Sequence, residues 1–368
     1  MKAPIDLSVV IVTYKSGEYI RQCLRSVNEA ADGVCSEVIV VDNGSENGSF
    51  DFIHREFPRV SLLRNEKNEG FAQAVNKGTA MATGRYLVIL NPDTRLYPDS
   101  LKVLLGFLEK HPTASVVSPR AVDASGGSIP ICRSLPHMGN ILRYPVTMLL
   151  GGKRLKKPRR FFLDIWEQDQ TIDLPRYNGY LTGACLVTRL DYFKKMGMFD
   201  GQYFLYGEDA DFGFRIRRRG HHAYLVSDAT IIHYVGRSAC FNPRARIHAA
   251  ESYLRYIRKN FTFFHGLAYK ISFFTLALLW AAGARVGMQR TERTITREIL
   301  KCFVPSFLKR LSRSGKKPCV DEAPREELLS QPMGEKKSSH PFIDKRFLSM
   351  PAGKKKNKDS QAPVIDRS

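Results

Sequence analysis

Three acidic stretches carry residue types that can do chemistry: Asp42-Asn43-Gly44-Ser45, Asn91-Pro92-Asp93 and Glu208-Asp209-Ala210-Asp211. A carboxylate can ligate a divalent cation, accept a hydrogen bond from a ribose or base, or take a proton from an attacking hydroxyl. Each stretch also has an architectural explanation. Asn-Pro-Asp-Thr is turn chemistry, because Pro92 fixes its own φ, keeps Asn91 extended and ends a strand. Acids in the first turn of a helix, with Arg215, Arg217, Arg218 and Arg219 in the last and Gly220 closing it, complement a helix dipole. On such a helix Glu208 and Asp211 share a face, while Asp209 is rotated by about 100° and points elsewhere. Crowding by two other acids would raise its pKa above the ~3.9 of an isolated aspartate and suit it to accept a proton near neutral pH. His233 ends the apolar run ATIIHY, where a packed histidine and a ligand fit equally well.

The elements that must position these residues follow from short β-branched runs: LSVVIVT (7–13), EVIVVD (37–42) and RYLVIL (85–90), each ending in a polar turn. They read as buried parallel strands. Helical stretches lie between and after them, over 18–30, 70–82 and 101–110. This alternation predicts a doubly wound, mostly parallel α/β sheet, whose ligands bind at the carboxyl ends of the strands. Thr13 and Tyr14, Asp42 to Ser45, and Asn91 to Asp93 are then expected around one crevice. Further along, NGYLTGACLVTR (178–189) reads as a strand, DYFKKMG as a short helix and ATIIHYVG as another strand. Ile247, Ala250, Leu254, Ile257 and Phe261, at steps of three and four, predict an amphipathic helix over 244–261.

The chain as a whole, 368 residues with 43% hydrophobic, can bury a large core and is not a disordered protein. Fifty-seven Lys and Arg against 36 Asp and Glu give a net charge of +21, which favours nucleic acid, anionic lipid or phosphate-bearing substrates. Seven scattered cysteines without a C-x-x-C pair point to a reducing compartment and no zinc site. The opening MKAPIDLSVVIVTYKSGE runs from a short apolar stretch into a polar loop, so a cytoplasmic location is expected. The apolar stretch LPHMGNILRYPVTMLLGG followed by KRLKKPRR, six basic residues in eight, reads as an insertion suited to a membrane surface or an anionic substrate. Residues 271–284 carry no charge over fourteen positions, short of the roughly 18–20 a spanning helix needs, so a buried or interfacial helix is expected, with its basic neighbours favouring the membrane interface. Residues 301–368, with sixteen Lys and Arg against eight acids, read as a disordered basic tail. Nucleotidyl transfer is disfavoured because TYKSGEYI lacks a Gly-rich basic loop for a triphosphate. A basic membrane- or nucleic-acid-binding protein with an inactive α/β core stands as the alternative of another class, although no aromatic-interleaved RNA motif is present.

In order, VVIVTYKSGEYIRQCLRS, VIVVDNGS, NEGFAQAVNKG, YLVILNPDT, LTGACLVTR, GEDADFGFRIRRRG and IIHYVGRS resemble family 2 glycosyltransferases of the GT-A fold, in particular the bacterial rhamnosyltransferase-like branch. The resemblance covers roughly residues 5–260. It implies a catalytic domain over 1–260, with a donor-binding half to about 120 and an acceptor half beyond, followed by a membrane-associating segment (261–300) and the tail. It places Thr13, Tyr14 and Asp42 around the nucleoside, and Asn68, Gly70, Phe71 and Asn76 in the donor-binding segment. Asp93 matches the last carboxylate of the Asp-x-Asp motif that binds Mg²⁺ or Mn²⁺ on the donor diphosphate. Asn91 departs from that motif and removes one formal charge. His233 matches a histidine that can complete the metal or diphosphate site. Gly183, Ala184 and Glu208 fall on the acceptor side, and Asp209 matches the catalytic base. The implied reaction is inverting transfer of a sugar, L-rhamnose from dTDP-rhamnose or alternatively a UDP-linked sugar. The implied acceptor is a saccharide, lipid-linked in cell-surface polysaccharide synthesis, reached from the inner face of the cytoplasmic membrane, with no nucleic acid partner.

Overall fold

Seven consecutive residues, Leu7–Thr13, are buried along their whole length and form β1 of the computed structural model. The structure describes residues 4–45, 50–135, 164–165, 170–174, 178–234 and 243–283, all within the unit Met1–Lys317. β1 pairs in parallel with β2 (Ser36–Asp42) on one side and β4 (Tyr86–Leu90) on the other, and β3 (Val60–Arg64) extends the sheet beyond β2. The crossovers carry α1 (Glu18–Ala30), α2 (Phe52–Glu56) and α3 (Phe71–Met81). Strands covered on both faces must be apolar throughout, which is why the β-branched runs locate them. The order β3-β2-β1-β4 reverses direction at β1, so the crevice lies beyond the carboxyl ends of β1 and its neighbours.

The second half is mixed. β5 (Thr94–Leu96), α4 (Ser100–Lys110), β6 (Ala114–Val122) and β7 (Ser128–Ile129) follow β4. β8 (Cys132–Ser134), β9 (Asp164–Ile165) and β11 (Gly179–Leu181) form a separate antiparallel sheet. β10 (Ile172–Asp173), β12 (Cys185–Arg189) and β13 (His222–His233) complete the main sheet, ordered β10-β13-β6-β12-β4-β1-β2-β3. β12 is antiparallel to both β4 and β6, whereas β13 runs parallel to β6. α5 (Leu190–Lys195) and α6 (Glu208–Arg218) lie between β12 and β13, and α7 (Pro243–Asn260) and α8 (Phe263–Gly283) close the described chain. Phe193, Phe199 and Phe212 pack edge to face with centroids 5.0–5.6 Å apart, which seats α6 against α5.

Two expectations are corrected. The segment 178–189 is two strands in different sheets, because the Thr182 N–H bonds back to the Ile131 carbonyl and the chain then turns at Gly183 into the main sheet. The helix expected around 271–284 begins earlier, at Phe263. The basic insertion after Leu135, apart from Asp164–Ile165, and the tail from 301 lie outside the described residues.

Candidate active site

The ends of β1 and β2 are knitted together by their own polar residues. The Asn43 N–H donates to the Thr13 carbonyl at 2.8 Å, and the buried Asp42 accepts the Ser45 N–H on Oδ1 at 3.0 Å. Thr13 is fully buried with its hydroxyl paired to Ser16, whereas Tyr14 is exposed at the rim. Asn43 is the hub of this corner. Its Nδ2 donates to Asn68 Oδ1 (2.9 Å) and the Gly70 carbonyl (3.2 Å), and its Oδ1 accepts from Asn65 Nδ2 (3.0 Å) and the Glu69 N–H (3.1 Å). Asn68 and Gly70 are thereby fixed beside the strand ends. Gly70 has φ +89°, and any side chain there would collide with the Phe204 backbone, so only glycine fits. Asn76 is not drawn into this corner: its amide is engaged at both ends with Phe199, donating to the carbonyl at 2.8 Å and accepting from the N–H at 3.2 Å.

At the end of β4, the Asn91 N–H donates to the Ala184 carbonyl at 2.9 Å, and the Asn91 carbonyl accepts from Thr94 Oγ1 at 2.7 Å. Asp93 is buried, with Oδ1 3.4 Å from His233 Nε2. The antiparallel register His233↔Thr94 between β13 and β5 brings the two together, and the Tyr234 N–H seals the corner on the Asp93 carbonyl at 2.9 Å. Among the described residues no group of three or more His, Cys, Asp and Glu is arranged to hold a metal ion. Asp93 and His233 nevertheless suit an ion that takes its other ligands from phosphate and water, the usual state of Mg²⁺ at a substrate phosphate.

The third acidic stretch starts α6, capped by Gly207 at φ +91°. Asp209 Oδ1 accepts the Ala210 N–H at 2.8 Å and Oδ2 the Gly183 N–H at 3.2 Å. The ring of Phe71 packs where a side chain at position 183 would sit. Gly183 and Ala184 therefore connect the two acidic sites: Ala184 holds Asn91 and Gly183 holds Asp209. Burial raises the Asp209 carboxyl above the usual aspartate range, opposed by the Ala210 and Gly183 N–H groups and by the charge of Arg133. Glu208 is pushed well above its ordinary value, first by burial and then by the charge of Asp209. The expected crowding by two acids is corrected, because Asp211 is turned away and neutralised by Arg215 Nε and Lys259 Nζ, each at 2.9 Å. Arg133, in a strand of the small sheet, is the participant that spacing did not single out; Asn43 was expected at the crevice with its neighbours, but not as the hub that ties residues 65–70 to it.

A family model, Glycosyl transferase family 2, matches residues 8–195, just over half of the chain. The chain belongs to glycosyl transferase family 2. The match includes Asp42, Asp93 and Gly183, while Asp209 and His233 lie beyond it and are brought to the same place by the fold. The glycosyltransferase is 29% identical over 254 residues to an N-acetylglucosaminyl-diphospho-decaprenol L-rhamnosyltransferase of Mycobacterium tuberculosis, covering 66% of this chain and 80% of that one. It is 25% identical over 224 residues to the low-salt glycan biosynthesis hexosyltransferase Agl10 of Haloferax volcanii, covering 58% of this chain and 62% of that one. Among solved structures, GalNAc-T7, crystallised with UDP, GalNAc and Mn²⁺, aligns with TM-score 0.51 and 16% identity over 85% of this chain and 58% of its own. The fold is that of the GT-A glycosyltransferases.

Proposed function

We propose that this glycosyltransferase transfers L-rhamnose from dTDP-L-rhamnose to a hydroxyl of a lipid-linked saccharide, with inversion at the anomeric carbon. The observation that carries the reading is the short backbone link between two acidic sites: Asn91, two residues before Asp93, bonds to Ala184, and the adjacent Gly183 bonds to Asp209. Donor-side and acceptor-side carboxylates thus share one frame. Asp209 takes the proton of the acceptor hydroxyl as its oxygen attacks the anomeric carbon, and the sugar–phosphate bond breaks on the opposite face. Asp42 and Tyr14 line the nucleoside side, with Asn68, Gly70 and Phe71 shaping the segment beside it. Asp93 and His233 would hold Mg²⁺ or Mn²⁺, which would supply positive charge to stabilise the departing diphosphate. The sugar and the lipid-linked acceptor follow the activity of the mycobacterial relative.

The acceptor reading fits a peripheral location on the inner face of the cytoplasmic membrane. No helix among the described residues is long and apolar enough to cross a membrane. α8 instead docks through Tyr269 on Tyr253 of α7, with rings 4.7 Å apart, and leaves Phe263, Phe264, Leu267, Ile271 and Phe274 exposed.

The test is transfer by the full chain from a panel of nucleotide sugars to a diphospholipid-linked saccharide, read by product mass. Asp209→Asn is expected to lower kcat by about 10²- to 10⁴-fold with donor binding retained by calorimetry. Asp93→Ala is expected to lose donor turnover; full turnover would reduce Asp93 to a turn residue. Transfer from UDP-sugars alone would overturn the rhamnose assignment.

A further inference from the structure

Asp209 must be ionised to accept a proton, yet the residue before it is a second carboxylate in surroundings that oppose charge. Glu208 is 4% exposed, and its Oε2 has no hydrogen-bond partner among the described residues. A buried carboxylate oxygen without a donor is costly as an anion and tolerable as an acid. Glu208 has its own backbone N–H to favour the anion, but Asp209 is held by the Ala210 and Gly183 N–H groups, which can only donate and therefore favour the anion.

Arg133 adds a third influence. In the β8–β11 ladder it stands opposite Tyr180, and directly opposed residues project from the same face of a sheet. A side chain at Gly213 of α6 would meet Tyr180 Cβ at 2.5 Å, so that face looks onto α6. Asp209 lies one turn before Gly213 on the same side of the helix, within the electrostatic reach of Arg133. The other surroundings, among the described residues, leave this assignment undisturbed. Phe71 covers Gly183, Tyr203 and Ser252 pack against Gly207, and Asp211 is engaged with Arg215 and Lys259.

We propose that the Glu208–Asp209 pair of the working enzyme carries a single proton, that Glu208 holds it, and that Arg133 keeps Asp209 as the carboxylate. The inference rests on Asp209 being the base of the proposed transfer. When the acceptor hydroxyl attacks, its proton passes to Asp209, and the pair holds two protons until one leaves to solvent. Glu208 and Arg133 are positioning residues: they act through Asp209, not on the sugar. The directions in which burial and neighbouring charge move the two carboxyls agree with this division.

The experiment is the pH dependence of kcat/KM for the full chain and its Arg133→Gln, Arg133→Lys and Glu208→Gln variants. Arg133→Gln is expected to move the acid limb upward by about one pH unit, and Arg133→Lys to restore most of it. Glu208→Gln is expected to leave the midpoint of that limb in place, because glutamine reproduces a neutral acid. A midpoint that falls in Glu208→Gln means that Glu208 is ionised when Asp209 works, and overturns the proposal. So does an unmoved limb in Arg133→Gln. An infrared readout independent of turnover accompanies the kinetics: the protonated-carboxyl band at neutral pH is expected in the wild type and lost in Glu208→Gln, and its absence from the wild type overturns the proposal. Failure of the underlying reading looks different, namely transfer that survives Asp209→Asn.

Discussion

Burial of a carboxyl group favours its neutral form, so the folded state holds the Glu208 proton more tightly than the unfolded chain does. The stability this contributes is fully present below the ordinary value of 4.5 and is lost as pH rises through the raised folded value. Glu208→Gln does not titrate. Its melting temperature is therefore expected to gain on the wild type as pH rises from about 5 to about 8, and the difference to flatten below about 4.5. A difference independent of pH would show that Glu208 ionises as freely in the fold as out of it. Site residues differ in how much of their role the sequence disclosed. What the sequence disclosed of Asp42, Asp93 and Asp209 was their placement, because a carboxylate at a strand end or a helix start is informative by type and place together. The cause of the Asp209 shift was not, because whether Asp211 crowds it depends on Lys259, which arrives from another helix. The bridging role of Asn43 was hidden for a similar reason, since its four side-chain hydrogen bonds reach residues 65–70.

Lys259 itself belongs to the scale of elements. It joins α7 to α6 by an ion pair with Asp211 at 2.9 Å and to the loop before α6 by one with Asp200 at 2.8 Å, and Ser252 adds a hydrogen bond to the Leu205 carbonyl in that loop at 3.0 Å. Asp211 is fully buried and, among the described residues, keeps Arg215 as its one ion-pair partner if Lys259 is removed. Lys259→Met should therefore cost about 1.5–3 kcal/mol, the range for hydrogen bonds to charged groups, read from the denaturation midpoint. Lys259→Arg should recover part of it, and an unchanged midpoint in Lys259→Met would mean that the pairs merely coexist with packing. Elements were legible where periodicity and burial agree, as in Leu7–Thr13, Glu18–Ala30 and Ser100–Lys110, which the structure places within a residue or so of the runs that predicted them. The break at Thr182–Ala184 was not, because apolarity continues through it. What changes there is the hydrogen-bonding partner, from β8 of the small sheet to β4 of the large one, and partners distant in sequence leave no local pattern.

At the scale of the whole molecule, a net charge of +21 stands beside α8, an apolar helix that, over its described residues, is not long and apolar enough to cross a membrane. On α8, positions 263, 267, 271 and 274 recur at helical spacing on one side, and Phe263 and Phe264 are each 78% exposed, far more than a helix docked in a core would leave. An apolar helix exposed in this way would bind an interface through buried apolar area, while basic residues near an anionic surface would add about 1 kcal/mol each. The two contributions separate by experiment. Full-length protein should co-sediment with vesicles containing phosphatidylglycerol more than with neutral vesicles, and added salt should remove the difference. Phe263→Ser combined with Phe264→Ser removes apolar area that is worth about 1.5–3 kcal/mol per fully buried ring, so binding to either vesicle should fall on the order of tenfold or more. Transfer to a water-soluble acceptor should persist, because both rings are exposed and neither belongs to the donor or acceptor residues proposed above. Vesicle binding unchanged by the double substitution would remove α8 from the interface and leave charge alone to hold the enzyme near its acceptor.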